Sequence, residues 1–173
     1  MSEPLAEFFT GGVTSTDIAD YGYPLETTEN FVGKKRVFPA ESFDWVITNP
    51  PFNLLTEFVE RGLYTARTGT AMLMRTVVLE GQRRYKKLFQ DNPPWVVAPF
   101  VERVPIHHGR VDPKGSSATS YSWFVWWKDA ATRPAIALPW AYNVWIPPCR
   151  RDLEQPQDYT ADPKDWRGAQ SAL

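Results

Sequence analysis

Within four residues, Asn49-Pro50-Pro51-Phe52 set a side-chain amide, a proline-fixed carbonyl and an aromatic face side by side. One kind of chemistry needs that set. The exocyclic amino nitrogen of a nucleobase is a poor nucleophile because its lone pair is delocalised into the ring. The Asn49 amide oxygen and the Pro50 carbonyl, placed around such an amino group, can accept its two hydrogens and build density on nitrogen, an effect that grows toward the transition state. Consecutive prolines fix the backbone so that the carbonyl faces a cleft, and Phe52 offers a flat face on which an extruded base can stack. The same tetrapeptide also fits a plain strand-terminating turn, which its composition satisfies unaided.

The flanking residues predict how such a loop is held. Phe43 to Thr48 is a compact apolar run bounded by Glu41-Ser42 and by the breaker pair Pro50-Pro51, as expected of a central parallel strand. From Asn53, a potential cap, Leu54, Leu55, Phe58, Val59, Leu63 and Ala66 recur on one face of a helix that Thr68-Gly69 would close. Ala71 to Val78 reads as a second buried strand. Glu80 to Gln90 reads as a helix with Tyr85, Leu88 and Phe89 on its apolar side, ended by Asn92-Pro93-Pro94. Upstream, Pro4 to Phe9 forms a short helix stopped by Gly11-Gly12, and Val13 to Asp17 a brief strand. Trp95 to Val104 and Ser120 to Lys128 are two further strands, expected to pair as an edge hairpin around an exposed polar loop. The alternation indicates an α/β domain with a mainly parallel sheet and ligands at the carboxyl ends of its strands, where Asp17 and Asn49 both fall.

At this point the chain resembles a known family. Asp44-Trp45-Val46-Ile47-Thr48-Asn49-Pro50-Pro51-Phe52 looks like the catalytic motif of class I, S-adenosylmethionine-dependent, adenine-N6 DNA methyltransferases of the phage and restriction-modification type. Asp17-Ile18 matches the family's acid after the second strand and the hydrophobic residue that follows it. Glu102 to Pro105, the Gly109 to Ser116 loop and the aromatic strand ending at Trp127 are also similar to small phage-type members. The resemblance covers roughly Glu3 to Lys128. It implies a Rossmann-like sheet and S-adenosylmethionine as cofactor, with Asp17 on its ribose and Ile18 on its adenine. It also implies a flipped DNA adenine as substrate, with Asn49, Pro50, Pro51 and Phe52 as catalytic residues. The family's first strand and glycine-rich loop have no counterpart, because Gly11-Gly12 follows a helix instead of joining a strand to one. The resemblance therefore implies an N-terminally truncated start, a second chain that supplies the missing strand, or a non-catalytic derivative acting as a nucleic-acid-binding or partner module. Amino groups of RNA or of a protein amide are alternative substrates for the same device.

Composition sets the remaining bounds. The length of 173 residues suits one domain, with residues 1–129 as its α/β body and the proline-broken segment 130–173 as an extended tail. No stretch nears the roughly 18 apolar residues of a membrane span. The N-terminus lacks a secretory signal and the single cysteine, Cys149, cannot form an internal disulfide, so a cytoplasmic protein is expected. A net charge of -1 argues against binding nucleic acid through bulk positive charge and makes any DNA contact local. The basic run Arg83, Arg84, Lys86 and Lys87 is a solvated face or a phosphate contact. The pair His107-His108 lacks suitably spaced partners for a metal site, and none is expected. Alternation from Trp123 to Trp127 points to core packing more than to base stacking.

Overall fold

A computed structural model describes residues 1–20, 24–90, 92–106, 118–129, 131 and 142–154. The chain falls into two units, one comprising Met1–Val37 and the other Phe38–Ala161.

In the first unit, helix α1 (Ser2–Phe8) buries no residue, and the two-residue strands β1 (Thr16–Asp17) and β2 (Thr27–Thr28) pair in parallel. Ser15 is its one buried residue among those described. Polar contacts hold it: the Ser15 N–H donates to the Glu26 carboxylate, and the Glu26 N–H donates back to the Ser15 carbonyl at 3.0 Å. The strand predicted from Val13 is reduced to Thr16–Asp17, since an isolated pair has no sheet to extend it.

The second unit is built on a five-stranded sheet. Strand β3 (Phe43–Thr48) runs parallel to β4 (Ala66–Arg75), and β6 (Tyr121–Trp127) runs antiparallel to both β4 and β5 (Val96–Pro99). Strand β7 (Tyr142–Asn143) lies parallel to β5. The order β3-β4-β6-β5-β7 makes four strands co-directional and one opposed, a mostly parallel, partly antiparallel open sheet with helices, hence α/β. The two strands expected as an edge hairpin do pair antiparallel, but not at the edge: β6 sits inside the sheet and β7, from the expected tail, lies outside β5. Both sides of β6 carry ladder partners, β4 along Tyr121 to Trp127 and β5 along Ser122 to Val125.

Helix α2 (Leu55–Thr65) covers the face of the sheet that carries Thr70, Met72 and Met74. Leu55, Val59, Met72, Met74, Val78, Leu88, Val97, Phe124 and Trp126 form one core. Burying an aromatic or aliphatic side chain of this size stabilises by about 1.5–3 kcal/mol.

The boundaries of α2 differ from the sequence reading. Asn53 lies in a 3-10 turn (Phe52–Leu54) and makes no side-chain cap. The helix is not closed at Thr68-Gly69 but at Thr65, and β4 starts at Ala66 with no residue between. Gly69 serves strand packing instead: a Cβ there would lie 2.5 Å from the Trp126 carbonyl oxygen and 2.8 Å from the Trp45 ring. Gly62 does the same for the helix, since its Cβ would lie 2.7 Å from Thr70 Oγ1, the hydroxyl that donates to the Val46 carbonyl at 2.9 Å. One carbonyl of the last turn of α2 and the first of β4 are met just past β6, where Lys128 Nζ donates to Leu63 O at 2.8 Å and Ala66 O at 2.7 Å.

After β4 the chain forms a 3-10 turn (Thr76–Leu79), turns at Gly81 with φ +108, and enters α3 (Gln82–Arg84), which continues as a π turn (Tyr85–Phe89). Leu88 is buried and Phe89 partly so, but Tyr85, expected on the apolar side, is exposed, because the π turn shifts the periodicity. At α4 (Arg150–Leu153), Glu102 Oε1 accepts the N–H groups of Cys149 and Arg150, each at 2.7 Å. Those two donors hold its carboxyl below the usual range, while burial pushes the Cys149 thiol up. Among the described residues no helix is long and apolar enough to cross a membrane, and no group of three or more His, Cys, Asp or Glu could hold a metal ion.

Candidate active site

The predicted loop emerges where the parallel strands end. Proline cannot donate to the ladder, so β3 stops at Thr48 and Asn49-Pro50 leave the sheet. Pro51, at φ -58 and ψ 137, then leads into the 3-10 turn, and its carbonyl accepts the Leu54 N–H at 3.0 Å. Of the two proline carbonyls, that of Pro51 is thus committed to the turn.

Asn49, Pro50 and Phe52 line one depression together with Leu55, Met74, Arg75 and Tyr121, with a volume of about 140 Å³. An engineered cavity of about 150 Å³ holds one benzene ring, so the space matches one planar ring, not a drug-sized ligand. Its walls follow from the register. Arg75 is the last residue of β4 and pairs directly with Tyr121, the first of β6. The floor is the buried pair Leu55 and Met74. Asn49, Phe52 and Arg75 are exposed and make the mouth.

The Phe52 ring is flanked by cations. The Arg84 guanidinium carbon lies 4.7 Å from the ring centroid and that of Arg75 5.7 Å, both within cation–π range. Arg84 is anchored by its own turn, its Nη1 donating to Glu80 O at 2.7 Å and Val77 O at 3.3 Å. Of the predicted basic run, Arg84 therefore reaches the site.

Three of the four predicted catalytic residues are brought together in the depression. Pro51 is exposed beside it and shapes the turn. Asp17 and Ile18, the predicted cofactor contacts, lie in the other unit. Asp17 Oδ1 accepts the N–H groups of Ile18 at 2.7 Å and Ala19 at 3.4 Å, and Ile18 is exposed. His107, His108 and residues 109–116 of the predicted loop lie outside the described residues.

Sequence reasoning missed Arg75 and Tyr121. Running the second strand to Val78 put Arg75 in its interior; ending that strand at the first charge after Met72-Leu73-Met74 would have set an arginine at a carboxyl end, where ligands gather. No protein-family model and no curated protein matches the chain.

Proposed function

We propose that Phe38–Ala161 carries the base-binding half of a Rossmann-like methyltransferase domain that transfers a methyl group from S-adenosylmethionine to the N6 amino group of adenine in DNA. The observation that carries this reading is the ring-sized depression at the carboxyl ends of β3 and β4, lined by Asn49, Pro50 and Phe52. Phe52 stacks on the base, Asn49 Oδ1 accepts one amino hydrogen and the Pro50 carbonyl the other. The partial charge that develops on nitrogen as it attacks is thereby met by two fixed acceptors. Leu55 and Met74 exclude water from the ring's inner edge.

The cofactor would supply an electrophilic methyl group. The residues described around Gly11 and Gly12 do not fit its methionine part: a Cβ at either would meet nothing within 4 Å, so no wall closes on the backbone to form a cradle. Asp17 suits the ribose better, with one carboxylate oxygen outside its local turn.

The test supplies labelled S-adenosylmethionine with unmethylated DNA, RNA and protein pools, followed by digestion to nucleosides and amino acids. N6-methyldeoxyadenosine that disappears with Asn49→Ala is the expected result. Label confined to RNA or protein, or DNA bound with no transfer by a chain that binds the cofactor, overturns it.

A further inference from the structure

We propose that Arg75 and Arg84 form a phosphate site at the mouth of the depression, so that the ligand it selects is a nucleotide and not a free base. The inference rests on the base-pocket reading above and adds to it the charged part of the substrate.

Three observations carry it. First, both guanidiniums converge on one ring that lines the pocket, at 4.7 and 5.7 Å from the Phe52 centroid. Two like charges held near one aromatic ring repel each other, and an anion between or beside them relieves that repulsion. Second, among the described residues neither is paired with a carboxylate: ion pairs join Arg67 to Asp44, Lys128 to Glu41 and Arg150 to Glu154, and carbonyls, which carry no net charge, are what anchor Arg84. Third, Arg84 commits only Nη1 to those carbonyls, so its fork keeps donors for a second acceptor while its position is fixed by Glu80 and the turn at Gly81.

A base seated against Phe52 carries its sugar toward the open mouth, where Asn49 and Arg75 are exposed. A phosphate on that sugar then meets planar, bidentate donors, the geometry in which Arg exceeds Lys. In a net-negative chain this is the local contact that the overall charge does not provide. The cation–π contacts hold the arginines ready in the absence of ligand. Removal of one arginine should therefore weaken phosphate-bearing ligands more than the bare nucleoside.

Calorimetry and side-chain NMR on the full chain test this with adenosine, adenosine monophosphate and inorganic phosphate as probes. The monophosphate is expected to bind about tenfold more tightly than adenosine, the size of one charge-assisted hydrogen bond, and to lose that margin as salt rises. Arg75→Gln and Arg84→Gln should each reduce the ratio of monophosphate to adenosine affinity several-fold. Inorganic phosphate alone should shift the Arg75 and Arg84 guanidinium resonances. Equal affinity for adenosine and its monophosphate, or equal loss of both ligands in the variants, overturns the phosphate site while leaving the base pocket standing. Phosphate shifts without adenosine binding keep the site and overturn the base reading. No binding of any probe overturns both.

Discussion

The two units hold their polar residues in opposite ways. In Phe38–Ala161, the loop at Asn49 is positioned by packing: α2 lies on Thr70 and Met72 so closely that Gly62 has no room for a Cβ, and Gly69 is pressed between Trp45 and Trp126. In Met1–Val37, Asp17 is positioned by hydrogen bonds to its own neighbours, near Ser15, the one buried residue among those described there. A candidate group fixed by a core keeps its geometry when solvent or partner changes, whereas one fixed by a local turn adapts at little cost. This teaches why the tetrapeptide forms a defined pocket and Asp17 an exposed turn.

Substitutions can break that contrast or sharpen it. The largest effect belongs to Phe124→Ala, which empties a fully buried ring from the core and should cost about 3–5 kcal/mol of unfolding free energy in denaturant titration. A loss below 1 kcal/mol would mean that the core does not hold the loop. Asn49→Ala comes next, in function alone: on the proposed function, methyl transfer to DNA should fall about 10²–10³-fold, the scale of losing one fixed transition-state contact, with unfolding unchanged because Asn49 is exposed. Gly69→Ala should destabilise by about 1–3 kcal/mol through overpacking on Trp45 and the Trp126 carbonyl, and should perturb tryptophan fluorescence. Gly11→Ala, with open space around it, should stay within about 0.5 kcal/mol of the parent in thermal melts.

The smallest effect is one of pH. Glu102 has its carboxyl held low by the Cys149 and Arg150 N–H groups, so its stabilising contribution is present above the ordinary carboxylate pKa and is lost as pH falls through the lowered folded value. Amide exchange at Cys149 and Arg150 should speed up in that acid window, and Glu102→Gln should flatten the response.

The strand–loop–helix around Asn49 was legible because its signals are local: an apolar run, two prolines and a 3.6-residue stripe. The position of β6 was not, since the order of strands is decided by non-local pairing, and the aromatic alternation of Tyr121 to Trp127 fits an edge or an interior strand equally. Gly69 misled for a related reason. In sequence a glycine after a helix marks a stop, and only the approach of Trp45 and Trp126 reveals that it makes room for them. Within the site, Asn49, Pro50 and Phe52 were found as one contiguous motif, whereas Arg75 and Tyr121 come together only through the cross-strand register that pairs them.

The junction of α2 and β4, where Thr65 passes directly to Ala66, has a mechanical consequence. With no linking residue to absorb a change in φ and ψ, and with Lys128 fastening the same corner to the next strand, this corner has no linker to act as a hinge. Helix α2 and strand β4, which carry Leu55 and Met74 at their opposite, depression-side ends, are thereby coupled as one piece.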